Sequence, residues 1–376
     1  MYFLNGDRLY IKPKHRCGTV DDQIQSCLSQ LAQINSGKKI FKLNFFVDAE
    51  SDEAYADLNA KIKSQVESQF PTDIILSLIA QPPLSCKIIV EAFLFNPSIW
   101  SSKTIKKGGD SAMLFEKETT RILIGNVQSN EKKGYRNDAE KTFSTLSTIF
   151  SEVNFPIKSI VRQWNYLEDI IGFDGDKQKY QEFNNVRSEY YKDHFEKDGY
   201  PAATGIGTNR GGVLIEFLAI QSDVVKTAPV DNPDQIAAHH YSKKVLVGEE
   251  CVLKTTPKFE RARYFELYGK KLIFISGTAS ITGEKTIGVG DPVAQTEITI
   301  QNIKRLYSDE VLKNMSQDKL RAKYGHARVY VKNRKDFAAI KTTFKTHFGN
   351  LPVVYIIADI CRPDLLVEIE GKVILE

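Results

Sequence analysis

The chain has 376 residues, of which 42% are hydrophobic and 26% are charged, so it can bury a core large enough for two or three domains. Its 51 basic and 47 acidic residues are interspersed and give a net charge of +4, which argues against a nucleic-acid partner. Five cysteines without a CxxC pair and six dispersed histidines lack the spacing of a zinc site or a disulfide framework, so we expect no metal and no cofactor.

Neither a membrane segment nor a phosphate-binding loop is predicted. The longest apolar run, residues 74–80, is too short to span a bilayer, and residues 1–10 have no apolar core of signal-peptide length. We therefore expect a cytoplasmic protein without a membrane partner. The glycine-rich stretch 204–212 lacks the lysine of a P-loop and the spacing of a dinucleotide fingerprint, and we interpret it as a turn between two strands.

Three successive segments of the chain repeat one order of predicted elements. Apolar spacing of three and four predicts helices, and apolar or alternating runs predict strands. In the first copy these are helix 21–34, strand 39–47, helix 54–70, strand 72–80 and strand 87–95. In the second they are strand 121–127, helix 138–150, strand 159–167, helix 180–195, strand 202–207 and strand 213–220. In the third they are strand 271–281, helix 291–303, strand 327–331, helix 336–348, strand 353–360 and strand 365–375.

Shared single residues support the repeat. The first helix of each copy opens near an acid suited to a helix N-terminus: Asp21, Asp138 and Asp291. A proline follows the second helix of each copy: Pro71, Pro201 and Pro352. The last strands align Glu91 and Glu216 with Glu368. We predict an α+β fold of three modules, 1–98, 99–228 and 229–376, each a sheet with helices on one face; three unrelated α+β segments are the alternative.

The third module resembles the RidA (YjgF/UK114) family in its segments FISGTASITGE (274–284), GDPVAQTEITIQNI (290–303) and LLVEIEG (365–371). Members of that family are trimers of chorismate-mutase-like modules with a ligand cleft between neighbouring subunits. The resemblance implies that three RidA-like modules in one chain form an internal pseudo-trimer, and hence a monomer. The carboxylate-binding arginine of the family's imine deaminases would fall near Val353 or Val354, so deamination is disfavoured.

A wider set of motifs is similar to the chorismatases. It comprises RQWNYLEDI (162–170), FNNVR (183–187), YPAATGIG (200–207), PKFERAR (257–263) and ADICRPDLLVEIEG (358–371). This resemblance covers residues 110–376 well and the first hundred residues only in outline. It implies a small-molecule substrate, chorismate, and release of pyruvate from it without a cofactor.

Chorismate carries two carboxylates and an enol ether, so its enzyme needs cations and an acid that protonates the terminal methylene. Strand alternation places Glu368 and Glu370 on one face. A two-residue hairpin turn at 363–364 would put Asp359 opposite Glu368 and Cys361 diagonal to it. A second acid and apolar neighbours predict a raised pKa for Glu368, our candidate general acid.

The product is inferred from the resemblance alone. Chorismatases that form 3-hydroxybenzoate carry a cysteine seven residues before the catalytic glutamate and a glycine in the SGTAS-like strand, where hydrolytic relatives carry alanine. Here these positions are Cys361 and Gly277. The resemblance therefore implies 3-hydroxybenzoate, with a hydrolytic enzyme giving a dihydrodiol as the alternative. Cys361 as a covalent nucleophile is disfavoured because no histidine lies nearby in sequence.

For the substrate carboxylates we predict three arginine ligands, since a guanidinium binds a carboxylate in a bidentate manner. They are Arg162, Arg261 and Arg328, with Tyr166 and Tyr200 as candidates for hydroxyl contacts. The structural alternative is that these arginines form salt bridges and the tyrosines pack. At the level of function, the alternatives are a non-catalytic RidA-like sensor of a small carboxylate and a ribonuclease, which lacks a basic aromatic surface here.

Overall fold

Three β-sheets form the framework of the chain, which we describe from a computed structural model. The structure describes residues 8–34, 37–70, 73–195, 198–242, 254–315 and 320–376, so Pro71 lies outside the described residues. Strands and helices alternate throughout, and the fold is a mixed α+β fold. In the described ranges no helix combines the length and the apolar character needed to cross a membrane.

The first sheet has four strands in the order β1-β4-β2-β3. Its elements are β1 (Arg8–Ile11), α1 (Val20–Ala32), β2 (Lys39–Val47), α2 (Asp52–Gln69), β3 (Ile75–Ile79) and β4 (Ile88–Phe95). Strand β3 runs parallel to β2, whereas β4 is antiparallel to both β2 and β1. The sequence predicted a strand before the first helix only in the second and third copies, and β1 supplies it in the first.

The second sheet has six strands in the order β11-β8-β12-β7-β6-β5. Its region of the chain contains β5 (Ser101–Lys107), β6 (Asp110–Lys117), β7 (Thr120–Ser129), α3 (Tyr135–Glu152), β8 (Ile160–Glu168), β9 (Phe173–Asp174), β10 (Lys177–Gln178), α4 (Lys179–Tyr191), β11 (Ala202–Thr208) and β12 (Val213–Gln221). The short strands β9 and β10 form a separate hairpin before α4. Strands β5 and β6 extend this sheet beyond the predicted elements.

The third sheet has six strands in the order β13-β14-β15-β20-β18-β19. Its elements are β13 (Lys226–Val230), β14 (Ala262–Leu267), β15 (Lys270–Ala279), β16 (Ile281–Thr282), β17 (Lys285–Thr286), α5 (Pro292–Arg305), α6 (Asp309–Lys313), β18 (Ala322–Val331), α7 (Phe337–Phe348), β19 (Val353–Ile357) and β20 (Val367–Leu375). Strands β16 and β17 form a small separate hairpin.

One four-strand arrangement recurs in all three sheets. The order β1-β4-β2-β3 corresponds to β7-β12-β8-β11 in the second sheet and to β15-β20-β18-β19 in the third. The predicted succession of strand, helix, strand, helix, strand, strand is confirmed, with α6 as an additional short helix. The module boundaries at 98 and 228 stay predictions. Residue 228 lies within β13, which pairs with β14 of the third sheet.

Helix caps differ in part from the predicted acids. Asp291 caps α5, because its side chain accepts hydrogen bonds from the backbone N–H groups of Val293 and Ala294. Helix α1 is instead capped by Thr19. Asp138 lies inside the first turn of α3, where it accepts a hydrogen bond from Ser129 Oγ at 2.7 Å. The prediction that these helices open near Asp21 and Asp138 is confirmed, since both acids lie in the first turn, although neither residue is the N-cap.

Two predictions about strand register are wrong. Residues 363–364 do not join a hairpin, because β19 lies beside β18, in parallel, and β20 lies on the other side of β18, between β18 and β15. The sequence alignment of Glu91 and Glu216 with Glu368 is shifted by two residues. Glu91 lies opposite an inner residue of β2, and Glu216 lies opposite an inner residue of β8. The corresponding residue of the third sheet is Glu370, which lies opposite Arg328 of β18, and not Glu368.

The helices cover one face of each sheet, and the opposite faces of the sheets meet. The apolar cores beneath the helices combine helix and strand residues of a single module. Two further apolar clusters contain residues from all three sheets, one including Phe41, Phe115 and Phe274 and the other Phe46, Trp164 and Tyr330. The burial of these shared clusters holds the three sheets together.

Candidate active site

A cavity lies between the second and third sheets. Helix α4 and strand β11 form one wall, and β15, β20 and the turn before β20 form the other. Two isolated bridges join the walls, Ala202 with Glu260 and Ile206 with Ile360. The described residues that line the cavity are Gln178, Tyr180, Gln181, Asn184, Ala203, Gly205, Tyr241, Pro257, Phe259, Arg261, Gly277, Ala279, Ile281, Cys361, Arg362, Pro363 and Glu368.

Glu368 projects its carboxyl from β20 into this cavity. The residue is 4% exposed, and its strand partners are Ala279 on β15 and Tyr330 on β18. Burial, and then the neighbouring carboxylate of Glu370, raises the pKa of Glu368 to about 8. The group therefore holds a proton at neutral pH and can donate it to a bound substrate.

Gly277 makes room for that carboxyl. The pairing of β15 with β20 is irregular between Ile275 and Thr278, and Gly277 lies in this irregularity. A Cβ at Gly277 would lie 2.0 Å from Glu368 Oε1 and 3.1 Å from Thr204 Cγ2. No side chain fits there unless the carboxyl moves, so glycine at this position and the present position of the acid depend on each other.

Cys361 lines the cavity beside Glu368, although its segment does not form the predicted hairpin with β20. The segment that carries it pairs with β11, since Gly207 donates its N–H to the carbonyl of Asp359 at 2.8 Å. Burial, and then the charge of Glu368, raises the pKa of the Cys361 thiol to about 12. A thiol that stays protonated is a poor nucleophile, which supports a role in shaping the cavity.

Arg261 is the one predicted arginine among the described residues of the cavity lining. It is 5% exposed, it donates to the carbonyl of Ile236 at 2.8 Å, and its Nε has no hydrogen-bond partner in the described part of the chain. Arg362 lies nearby, and both guanidiniums are 5.4 Å from the centre of the Tyr241 ring. The cavity thus presents two cations close to one aromatic ring.

Several lining residues were missed by the sequence analysis. Tyr180, Gln181 and Asn184 come from α4, and Arg362 comes from the turn before β20. Behind Asn184, the buried Arg187 donates to Asn184 Oδ1 at 2.6 Å. The motif FNNVR contained Asn184 and the motif ADICRPDLLVEIEG contained Arg362, whereas Tyr180 and Gln181 lay only in the predicted helix 180–195. Helical and turn positions gave no sign of which side chains would face a cavity.

Arg162, Arg328 and Tyr166 are not among the described residues that line the cavity; they belong to a buried polar network between the three sheets. Arg162 pairs with Glu370 and donates to Thr204 Oγ1 at 2.6 Å. Arg328 pairs with Glu91, contacts Glu370 at 3.1 Å and donates to Tyr166 Oη at 2.6 Å. Their guanidiniums are occupied by protein carboxylates, so the geometry does not support them as substrate ligands.

The remaining members of this network are contributed by the first two sheets. Lys42 Nζ is 2.9 Å from Glu216 Oε1, and Arg8 pairs with Glu91. Asn44 Nδ2 lies 3.2 Å from both Glu91 Oε2 and Glu216 Oε2. One glutamate from the last strand of each module thus meets the others through cations and an amide, and we call Arg8, Lys42, Asn44, Glu91, Arg162, Glu216, Arg328 and Glu370 the central network.

Tyr200, the other predicted hydroxyl contact, lies outside the described cavity lining. Its ring stacks on Tyr191 with centroids 6.2 Å apart and lies 5.9 Å from the ring of Phe195. The structural alternative of packing describes its position better than a ligand contact does.

Comparison with known proteins shows which family the chain resembles. The family model described as "Chorismatase FkbO/Hyg5-like, N-terminal" matches residues 98–219. A 3-hydroxybenzoate synthase from Streptomyces hygroscopicus is 32% identical over 247 residues, which cover 62% of this chain and 69% of that protein. The chain belongs to the chorismatase family. A chorismatase from the same organism is 28% identical over 281 residues, covering 73% of this chain and 78% of the relative.

The chorismatase fold extends over almost the whole chain. A crystal structure of a chorismatase superposes with a TM-score of 0.71 and covers 97% of this chain and 98% of its own, at 21% sequence identity. The predicted resemblance to the chorismatases is confirmed. The first module, where sequence similarity was seen only in outline, therefore has a counterpart in the chorismatase fold.

Proposed function

We propose that this protein removes pyruvate from chorismate, with Glu368 as the general acid. The observation that carries the proposal is a buried carboxyl with a pKa of about 8 that faces a cavity between two modules. The two relatives named above, a 3-hydroxybenzoate synthase and a chorismatase, support chorismate as the substrate.

Protonation starts the reaction. Glu368 transfers its proton to the terminal methylene carbon of the enolpyruvyl ether, and the carbon bearing the ether oxygen becomes an oxocarbenium ion. The ionised Glu368 then stabilises that cation electrostatically. Arg261 and Arg362 supply the positive charge that the two substrate carboxylates require.

The second product that we propose is 3-hydroxybenzoate. The neighbouring ring hydroxyl adds to the oxocarbenium carbon and gives its proton to Glu368. The bond between that oxygen and its ring carbon then breaks while the ring carbon that bears the ether oxygen loses its hydrogen as a proton, so the ring becomes aromatic. The hemiketal that remains separates into pyruvate and 3-hydroxybenzoate, which together contain all the atoms of chorismate, and no water is consumed. The presence of Cys361 and Gly277 beside Glu368 supports this route over hydrolysis. Cys361→Ala, alone or with Gly277→Ala, is expected to divert product toward the dihydrodiol; chromatography that shows an unchanged product would remove Cys361 from this role.

The proposed activity is tested by incubation with chorismate and detection of pyruvate with lactate dehydrogenase. Glu368→Gln should lower turnover by about 10²-fold or more, the usual loss when a general acid is removed. Glu266→Gln, on β14 of the same sheet and outside the described cavity lining, is the matched control and should retain turnover. Absence of pyruvate with the parent protein would favour a non-catalytic carboxylate sensor.

We further propose that the three modules, with boundaries near residues 98 and 228, form an internal pseudo-trimer that acts as a monomer. The recurrent strand order, the two apolar clusters shared by all three sheets and the central network support it. Light scattering coupled to size-exclusion chromatography should give the mass of one chain. A trimeric mass would contradict the proposal.

A further inference from the structure

A second cleft lies between the third and first sheets. It is bounded by helix α7 and strand β19 on one side and by the segments that follow β1 and precede β4 on the other. Its floor is apolar, with Leu84, Ile89, Leu351 and Val353. We call it the Ile89 cleft.

The Ile89 cleft occupies the position in the repeat that the candidate active site occupies between the second and third sheets. Ile89 on β4 lies opposite Phe46 of β2, two residues before Glu91, as Glu368 on β20 lies opposite Tyr330, two residues before Glu370. Ile89 therefore stands where the candidate active site has its acid.

The strand on the opposite wall corresponds as well. Val353 and Tyr355 of β19 line the Ile89 cleft, and Ala203 and Gly205 of the corresponding strand β11 line the active site. The two clefts are thus built from the same parts of the repeat. Because isoleucine carries no acidic proton, the Ile89 cleft cannot run the proposed protonation.

The charge of the Ile89 cleft is strongly positive. Four cationic side chains, Lys12, Arg16, Lys341 and Lys345, line the cleft, and no carboxylate is among its described lining residues. Desolvation lowers the pKa of Lys12; Cys86 acts in the opposite direction, and the charges of Arg16 and the two helix lysines lower the pKa further. Cations held close together without a carboxylate are relieved when an anion binds between them.

One residue of the cleft lining carries a buried polar group without a partner in the described part of the chain. Tyr355 is 7% exposed, and its hydroxyl has no hydrogen-bond partner among the residues that the structure describes. Leaving a buried hydroxyl unpaired is unfavourable, and a bound ligand with an oxygen atom can supply the missing hydrogen bond.

The third position of the repeat, between the first and second sheets, is closed. Tyr55 of α2 donates its hydroxyl to the carbonyl of Leu78 at 2.9 Å and accepts from Gln128 Nε2 at 2.9 Å. A Cβ at Gly211 would lie 3.0 Å from the Tyr55 hydroxyl. The Tyr55 side chain therefore fills that position, and the Ile89 cleft differs from it in being open.

We infer that the Ile89 cleft is a second, non-catalytic site that binds a small organic carboxylate with an apolar ring. The cations hold the carboxylate, the Tyr355 hydroxyl contacts an oxygen of the ligand, and the apolar floor packs against the ring. The inference does not depend on the proposed reaction, because binding is measured without turnover.

The test is calorimetric titration of 3-hydroxybenzoate, a probe with one ring and one carboxylate, into the full chain. The double variant Lys12→Glu/Lys341→Glu should weaken binding by about tenfold or more, and Tyr355→Phe by about fivefold. Lys63→Glu, an exposed lysine of α2 outside the cleft lining, should bind like the parent. Arg261→Ala, in the active site, should retain the binding of 3-hydroxybenzoate that the double variant loses.

Absence of binding at millimolar probe, or an affinity changed less than about threefold by the double charge reversal, would overturn the inference. Thermal melting of each variant checks its folding. If the double variant does not fold, Arg16→Gln/Lys345→Gln, which removes two exposed cations, replaces it under the same criterion. Pyruvate release from chorismate is assayed separately, so failure of this site and failure of the proposed reaction are distinguishable.

Discussion

Two glutamates on one strand, two residues apart, have opposite protonation behaviour. Burial and the charge of Glu370 raise the pKa of Glu368. Glu370 is equally buried, yet the guanidiniums of Arg162 and Arg328 hold its pKa below the usual value against the effect of burial. The difference comes from partners, because Glu370 has two arginines in contact whereas Glu368 faces the cavity.

The pH dependence of the reaction follows from the raised pKa. Glu368 must be protonated to act as an acid, so kcat/KM for chorismate should be constant below about pH 8 and fall about tenfold per pH unit above it. Initial rates of pyruvate release, measured at about five pH values between 6 and 10, check this expectation. A rate that rises through pH 8 would show that Glu368 acts in its ionised form.

The same group affects stability. Because its pKa is higher in the folded state than in the unfolded state, its contribution to stability is complete below about pH 4.5 and is lost as pH rises toward 8. Glu368→Gln should gain stability relative to the parent over this range, by up to about 1.4 kcal/mol per pH unit. Urea unfolding of both proteins at several pH values measures the difference, and parallel stability curves would contradict the raised pKa.

Gly277→Ala tests the space beside the acid. The added Cβ would lie 2.0 Å from Glu368 Oε1, so the carboxyl must move away from its present position. We expect turnover of chorismate to fall by about 10²-fold, since a displacement of this size at a catalytic group has such effects. Gly109→Ala is the control, because its Cβ would meet no atom within 4 Å. Unchanged rate and product would show that this glycine does not set the position of Glu368.

At the scale of elements, helix α5 holds the turn that carries Cys361 and leads into β20. Gln295, which is fully buried, donates from Nε2 to the carbonyl of Asp364 at 2.8 Å and accepts at Oε1 from the N–H of Leu366 at 2.8 Å. One side chain thus satisfies two backbone groups on either side of the turn. The N-cap at Asp291 places Gln295 in the first turns of the helix.

Gln295→Leu should therefore lower both stability and activity. The two backbone groups lose their partner, at a cost of about 1–3 kcal/mol, and the turn no longer holds Cys361 beside Glu368. Urea unfolding gives the stability, and turnover at a temperature well below unfolding gives the positioning effect, expected at about tenfold. Gln301→Leu, exposed on the same helix, should change neither. Full turnover in a destabilised Gln295→Leu would limit its role to stability.

At the scale of the whole molecule, the central network holds three sheets together at their inner faces. Three glutamates alternate with Arg8, Lys42, Arg162 and Arg328, and every pair joins residues distant in the chain. Such buried pairs add little net stability compared with apolar packing, but loss of one partner leaves an uncompensated buried charge. The network therefore specifies which sheets meet and in which register.

Arg328→Met should destabilise the fold by about 3–5 kcal/mol, because Glu91 and Glu370 both lose a cation. Urea unfolding followed by circular dichroism measures this loss. Lys106→Met is the control: its pair with Asp73 is exposed, and its removal should cost at most about 1 kcal/mol. Equal effects of the two substitutions would mean that the central network is not a structural unit.

The sequence by itself determined the order of the elements and the family. Periodicity located the helices and strands of the repeat, most of them to within a few residues, since apolar spacing is a local property of each segment. It missed β1, β5, β6, β13, β14 and α6. Motifs identified the chorismatases and singled out Glu368, Cys361 and Gly277, all of which face one cavity. The sequence also predicted Arg261 as a ligand, and this residue lines the same cavity.

Only the tertiary structure decided which sheets and faces meet. An arginine on a strand has the same local pattern whether it faces substrate or another module's glutamate, so Arg162 and Arg328 were predicted as ligands although protein carboxylates occupy them. Strand pairing between distant residues gave Cys361 its place next to Glu368 and aligned Glu370 with Glu91 and Glu216. The two arginine pairs join residues more than 200 positions apart, and the strand pairings also join separate segments, so neither leaves a local signal in the chain.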